Sequence, residues 1–154
     1  MDFQTEHMDE AYYVYSERSA TPGPEIAAEM AAGFGVVHAF TEARGMTRLS
    51  PPIAVYVDMP SAGLMAFRTG VFVSEADAQR AEGAIEWDRM PEGIVVKTVH
   101  TGPYTTLNET HQALWSHMDQ AGLTKAMPIW EVYIDDPETS EPSDLRTEVY
   151  RRLG

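Results

Sequence analysis

Val55-Tyr56-Val57-Asp58-Met59-Pro60 and Val132-Tyr133-Ile134-Asp135-Asp136-Pro137 state one pattern twice, 77 residues apart (132 − 55). Each is a short β-branched and aromatic run that ends in Asp and Pro, the residues that stop a strand and open a turn. The flanks repeat as well. Gly23-Pro24 corresponds to Gly102-Pro103, Gly45-Met46 to Gly122-Leu123, and Arg68-Thr69 to Arg146-Thr147, at separations of 79, 77 and 78 residues (102 − 23, 122 − 45, 146 − 68). Landmarks that hold one spacing within two residues mark an internal repeat, and a repeat takes precedence over any local reading.

Working outward, strand signals occupy Tyr12–Ser16, Ile53–Asp58, Leu64–Val73, Ile94–His100, Ile129–Asp135 and Leu145–Arg151. Helical signals occupy Pro24–Arg44 and Tyr104–Gln120, with Pro24 suited to a first turn and Gly45 and Gly122 to C-terminal caps. The order is strand, helix, strand, strand, twice over. The expected fold is therefore α+β: a tandem duplication with pseudo-twofold symmetry, a mostly antiparallel sheet, helices on one face and a ligand cleft on the other. One domain spans 1–154, with module one at about 11–74, a linker at about 75–92 and module two at about 93–153. The linker reads as a short helix followed by a turn at Met90-Pro91-Glu92-Gly93.

Composition narrows the function classes. The formal net charge of −13 repels nucleic-acid backbones and anionic lipid, so direct nucleic-acid or membrane partners are not expected. No cysteine is present, which removes thiolate chemistry and suits a reducing compartment; with no signal-peptide pattern, the expected location is cytoplasmic. The pattern HExxH is missing, and His111 and His117 sit on different helix faces, so no metal is expected. Gly33-Phe34-Gly35 lies inside a helical pattern, not between a strand and a helix, and is no nucleotide loop; close packing against a neighbouring backbone is its expected reason. No cofactor and no particular protein partner is indicated.

The second half contains Gly102-Pro103-Tyr104 entering a helix, Glu131-Val132-Tyr133-Ile134-Asp135-Asp136-Pro137, and Thr147-Glu148 in the last strand. In these features it resembles the GyrI-like small-molecule-binding family, the effector-binding domain fused to AraC-type and MerR-type regulators. The first half matches more weakly, with Ala54 at the position of Glu131 and Gly70 at that of Glu148. The resemblance implies a cleft between two modules that binds lipophilic, often cationic or aromatic compounds, with an acidic residue in it. Only about ten polar residues precede the first strand, too few for a helix-turn-helix, so a stand-alone sequestering or sensing member is expected. Two alternatives come with the family: hydrolysis of cyclopropane-bearing genotoxins, with Glu131 as general base, and a protein-interaction role such as gyrase inhibition.

Alternation along a strand sets Ile129, Glu131 and Tyr133 on one face and Trp130, Val132 and Ile134 on the other. If the all-apolar set meets the helices, Glu131 and Tyr133 face the cleft, with Ala54 and Tyr56 as their counterparts. The last strand, by the same logic, turns Glu148 to the cleft unless Arg146 and its neighbours pair with it. Tyr104 is a pocket wall or a packing residue. The candidate ligand-binding set is Glu131, Tyr133, Tyr56, Tyr104, Ala54 and Glu148.

Overall fold

The computed structural model describes residues 1–21, 23–58 and 63–154. Its elements run β1 (Gln4–Met8), β2 (Ala11–Ala20), α1 (Pro24–Ala43), β3 (Ile53–Tyr56), β4 (Met65–Val73), α2 (Glu75–Ala78), β5 (Glu86–Met90), β6 (Gly93–Thr101), α3 (Leu107–Gln120), β7 (Lys125–Tyr133) and β8 (Arg146–Leu153). A turn of 3₁₀ helix at Tyr104–Thr106 leads into α3. All pairings are antiparallel, in the sheet order β1-β6-β8-β7-β3-β4-β2-β5. The α+β class expected from the repeat holds, and the order reads alike from both ends: each module lays its three strands outward from a central β3–β7 contact. Met59 and Pro60 of the first motif lie outside the described residues.

Two strands were not legible as such. β1 is a polar, exposed strand pairing with β6, and β5, expected as linker and turn, pairs with β2 through Tyr13↔Asp88 and Val14↔Trp87. Edge strands tolerate charge on both faces, which erases the period-2 hydrophobic signal. The Arg68-Thr69 and Arg146-Thr147 landmarks are also out of register. Arg68 sits opposite Val55, whereas the residue opposite Val132 is Glu148, two positions beyond Arg146. A slip of two leaves every side chain on its face, so the fold is unaffected.

The connectors force the sheet to curl. Two residues join β1 to β2 and two join β5 to β6, although these strands stand first and seventh, and eighth and second, in the sheet. In a flat sheet six strand spacings cover roughly 29 Å. Two linking residues span at most about 10 Å. The edges therefore come round toward each other, and the inner face closes on Tyr13, Tyr15, Ile53, Val55, Met90, Val95, Trp130 and Val132, all buried without any helix over them.

That packing reverses the expected faces. Trp130 and Val132 do not meet the helices; the curled sheet itself buries them. Both long helices lie on the other face. There α3 packs Leu107, Leu114 and Met118 against Val96 and Val149, and α1 packs Val37 against Val14, Val71 and Val73. Gly33 of α1 approaches Thr69 so closely that a Cβ there would lie 2.1 Å from its Oγ1. The close approach expected for Gly33 is thus real, although the neighbour is a side chain; nothing lies within 4 Å of a Cβ built at Gly35, and no contact explains that glycine.

Candidate functional site

The centre of the helix-bearing face is one ladder row: Thr98, Val149, Glu131, Ala54, Thr69 and Ser16, adjacent across β6, β8, β7, β3, β4 and β2. All six are buried. Glu131, 5% exposed, is the sole ionisable group among them. Its direct neighbour across the β3–β7 contact is Ala54, which is also its counterpart in the repeat (131 − 54 = 77). The two residues that the pattern equates thus face each other at the junction of the modules. One supplies a carboxylate and the other only a methyl group.

Three donors converge on that carboxylate. Tyr133 donates its hydroxyl to Oε1 at 2.5 Å, and Tyr56, the repeat counterpart of Tyr133, approaches the same oxygen at 3.4 Å. His111 of α3 brings Nε2 to 2.6 Å from Oε2. A carboxylate only accepts, so the imidazole presents its proton on Nε2 to make this bond. Burial, with the charge of Glu131 in addition, pushes both tyrosine hydroxyls well above their usual range, which keeps them protonated donors. An ion this deep costs several kcal/mol to desolvate unless its oxygens are hydrogen-bonded, and here both are.

Aromatic side chains fill the groove between α1 and α3 and cover the carboxylate. Phe34 of α1 meets Tyr133 edge-on with centroids 5.5 Å apart, and Met30 Sδ lies 3.9 Å from the Tyr133 hydroxyl. From the other side Tyr104, 39% exposed, meets Tyr133 edge-on at 5.6 Å. Burial and the charges of Asp136, Asp135 and Glu131 raise the Tyr104 hydroxyl above its ordinary value. His100 anchors this wall: its Nδ1 lies 2.6 Å from Thr110 Oγ1 on α3, and its Nε2 lies 3.1 Å from the Pro103 carbonyl.

Of the six residues expected at the site, Glu131, Tyr133, Tyr56, Ala54 and Tyr104 come together. Glu148 does not. It projects from the inner face of the sheet, where it pairs with Lys97 at 3.0 Å and accepts from Tyr150 at 3.2 Å. The reason is register: Glu131 stands opposite Val149, so its neighbour Glu148 points the other way. The structure adds His111, Phe34 and Met30 to the candidate cluster. The signal for His111 was present, since it interrupts an otherwise apolar helix stripe (Leu107, Leu114, Met118), and a polar residue there needs a polar partner on the sheet.

Over residues 1–153 the sequence matches the model of the GyrI-like small-molecule-binding domain. The chain belongs to this family. Among solved structures, the GyrI-like chain is similar to the C-terminal domain of EcmrR, with a TM-score of 0.83 and 17% identity over 99% of this chain and 97% of that one. In the cryo-EM structure of the EcmrR–DNA complex the match has a TM-score of 0.82 and 15% identity, and spans 99% of this chain but 57% of EcmrR. SAV2435, solved bound to tetraphenylphosphonium, is similar at a TM-score of 0.66 and 14% identity, covering 100% of this chain and 94% of that one. A hydrolase from Listeria innocua matches with a TM-score of 0.67 and 15% identity, over 99% and 91% of the two chains. No curated relative matches the sequence. No described helix of this GyrI-like chain is long and apolar enough to cross a membrane.

The His111–Glu131 contact makes a direct prediction about the domain. His111→Leu should lower unfolding free energy by about 1–3 kcal/mol, the cost of leaving a buried acceptor short of a partner. In a Glu131→Gln background the same change should cost clearly less. Urea denaturation of the two single variants and the double variant measures the coupling; additive losses would mean that the two side chains do not act on each other.

Proposed function

We propose that this protein binds lipophilic aromatic cations in the groove between α1 and α3, with Glu131 as the counter-charge, and so sequesters or senses them. The observation that carries the reading is a single buried carboxylate at the module junction, held by tyrosine hydroxyls and one imidazole and walled by aromatic rings. A delocalised cation satisfies such a group without itself needing strong hydration, and aromatic faces add about 0.5–2 kcal/mol of cation–π attraction each. The net charge of −13 draws cations toward the surface before they reach the groove. SAV2435 with tetraphenylphosphonium is a precedent for the fold and this ligand class. Because Glu131 is 5% exposed, entry requires movement of the rim side chains Tyr104 and Phe34. A cytoplasmic site of action accords with the cysteine-free composition.

A thermal-shift screen tests the reading. At about 100 times its Kd, a bound cation stabilises by about 2.7 kcal/mol, which raises Tm by roughly 5–10 °C in a chain of this size. Tetraphenylphosphonium should produce such a shift at physiological salt, and a size-matched neutral compound a smaller one. No shift with any lipophilic cation at millimolar concentration would sink the reading. A second reading, hydrolysis with Glu131 taking a proton from water, draws on the imidazole beside the carboxylate. Product analysis of the same samples, with strained electrophiles included, separates turnover from binding.

A further inference from the structure

The ladder row next to Glu131 contains a second buried charge. Val96, Arg151, Ile129 and Tyr56 are neighbours across β6, β8, β7 and β3, on the same helix-bearing face. Arg151 is 6% exposed, and among the described residues no acceptor reaches its Nε or Nη1. Trp115 of α3, one helical turn beyond His111, lies over it with the guanidinium carbon 4.7 Å from the ring centroid, and the indole Nε1 is likewise buried with no acceptor among the described residues. A buried guanidinium with two nitrogens short of an acceptor is unusual, because the cost of desolvating it is offset only by an acceptor; the charge of Asp119 acts on it without a hydrogen bond. Three orphaned donors thus gather at one place. Arg151 is two residues along β8 from Val149, the direct partner of Glu131. Its Cα therefore stands roughly 8 Å diagonally from that of Glu131, by sheet spacing and rise per residue.

We infer that Arg151 and Trp115 form a carboxylate-binding subsite of donors in the same groove, and that the ligands best matched to this protein are amphoteric aromatic molecules whose cationic end meets Glu131 and whose carboxylate meets Arg151. The guanidinium fork fits a planar carboxylate, and the indole N–H supplies a further donor. The acidic surface repels a simple anion, so a carboxylate enters best on a molecule that also carries positive charge. This rests on the cation reading for one end of the ligand only; the Arg151 end stands on its own observations.

Rhodamine B, a zwitterion when its carboxyl is ionised, and its ethyl ester, a cation alone, make a matched pair for fluorescence titration. The wild-type protein should bind the zwitterion about tenfold more tightly than the ester, the scale of one charge-assisted contact. Arg151→Met should erase that preference and leave the ester unchanged, whereas Glu131→Gln should weaken both dyes alike. Trp115→Phe, which keeps the ring and removes only the N–H, should reduce the preference in part and serves if the methionine variant does not fold. An unchanged ratio in folded variants, or a fall in Tm with no change in dye preference, would show Arg151 to be a packing group stacked on Trp115 and would overturn the inference. If neither dye binds, the cation reading fails, and 2-naphthoate at high salt, where repulsion by the acidic surface is screened, decides the subsite by itself: binding to wild type that Arg151→Met abolishes supports it, and equal or no binding to the two overturns it.

Discussion

Glu131→Gln should weaken tetraphenylphosphonium about 10- to 100-fold, equivalent to roughly 1.5–3 kcal/mol, while changing the affinity of a neutral aromatic of similar size by less than about threefold. Glutamine preserves the shape and can still accept from Tyr133, so the difference between the two ligands isolates charge. The salt dependence gives an internal control. Attraction by the diffuse surface charge is screened beyond about 8 Å at physiological ionic strength, whereas a contact at a 5% exposed carboxylate is not. Titration by calorimetry at low and high salt should therefore show a wild-type preference for the cation that persists and a variant preference that fades. Equal losses for cation and neutral ligand would assign Glu131 to holding the groove together.

Gly33→Ala should be the most destabilising single-methyl addition to the groove. The new Cβ would lie 2.1 Å from Thr69 Oγ1 and 2.9 Å from both Thr69 Cβ and Cγ2, and Thr69 is fully buried, so α1 has to lift. Overpacking of this kind costs about 1–3 kcal/mol, against which alanine recovers at most about 1 kcal/mol of helix propensity. Thermal denaturation should show a lower Tm for Gly33→Ala and little or no loss for Gly35→Ala, whose Cβ meets nothing within 4 Å. Because Met30 and Phe34 ride on the same helix, a lifted α1 should also weaken ligand binding. A Gly33→Ala protein as stable as wild type would mean that the helix accommodates the methyl at no cost.

The sequence made the module order legible, because strand and helix signals recur with one spacing, and it made most of the candidate cluster legible, because Glu131 and Tyr133 alternate within one strand whose partner is their own repeat. It misled on the faces. An apolar strand face need not meet a helix where the sheet covers itself, and the curling follows from which strands the two-residue connectors join, a long-range fact that residue patterns do not carry. Glu148 lies away from the cluster for a related reason: alternation gives its parity along β8, but which parity stands beside Glu131 depends on register between strands. Arg151 was invisible as a buried group, since a basic run at Arg151-Arg152 near a chain end reads as solvated surface until the pairing partners are known.

The Ala54–Glu131 contact also constrains stoichiometry. Two repeats ordinarily offer two equivalent places for a ligand, one per module, but a site built at the junction belongs to both modules and exists once. Were both positions glutamate, two carboxylates on Cα atoms about 5 Å apart would share a proton and present a single negative charge at most. Alanine at position 54 avoids that competition and leaves one carboxylate at the junction. The proposed function therefore predicts one cation per chain, approached by the two halves through unlike groups.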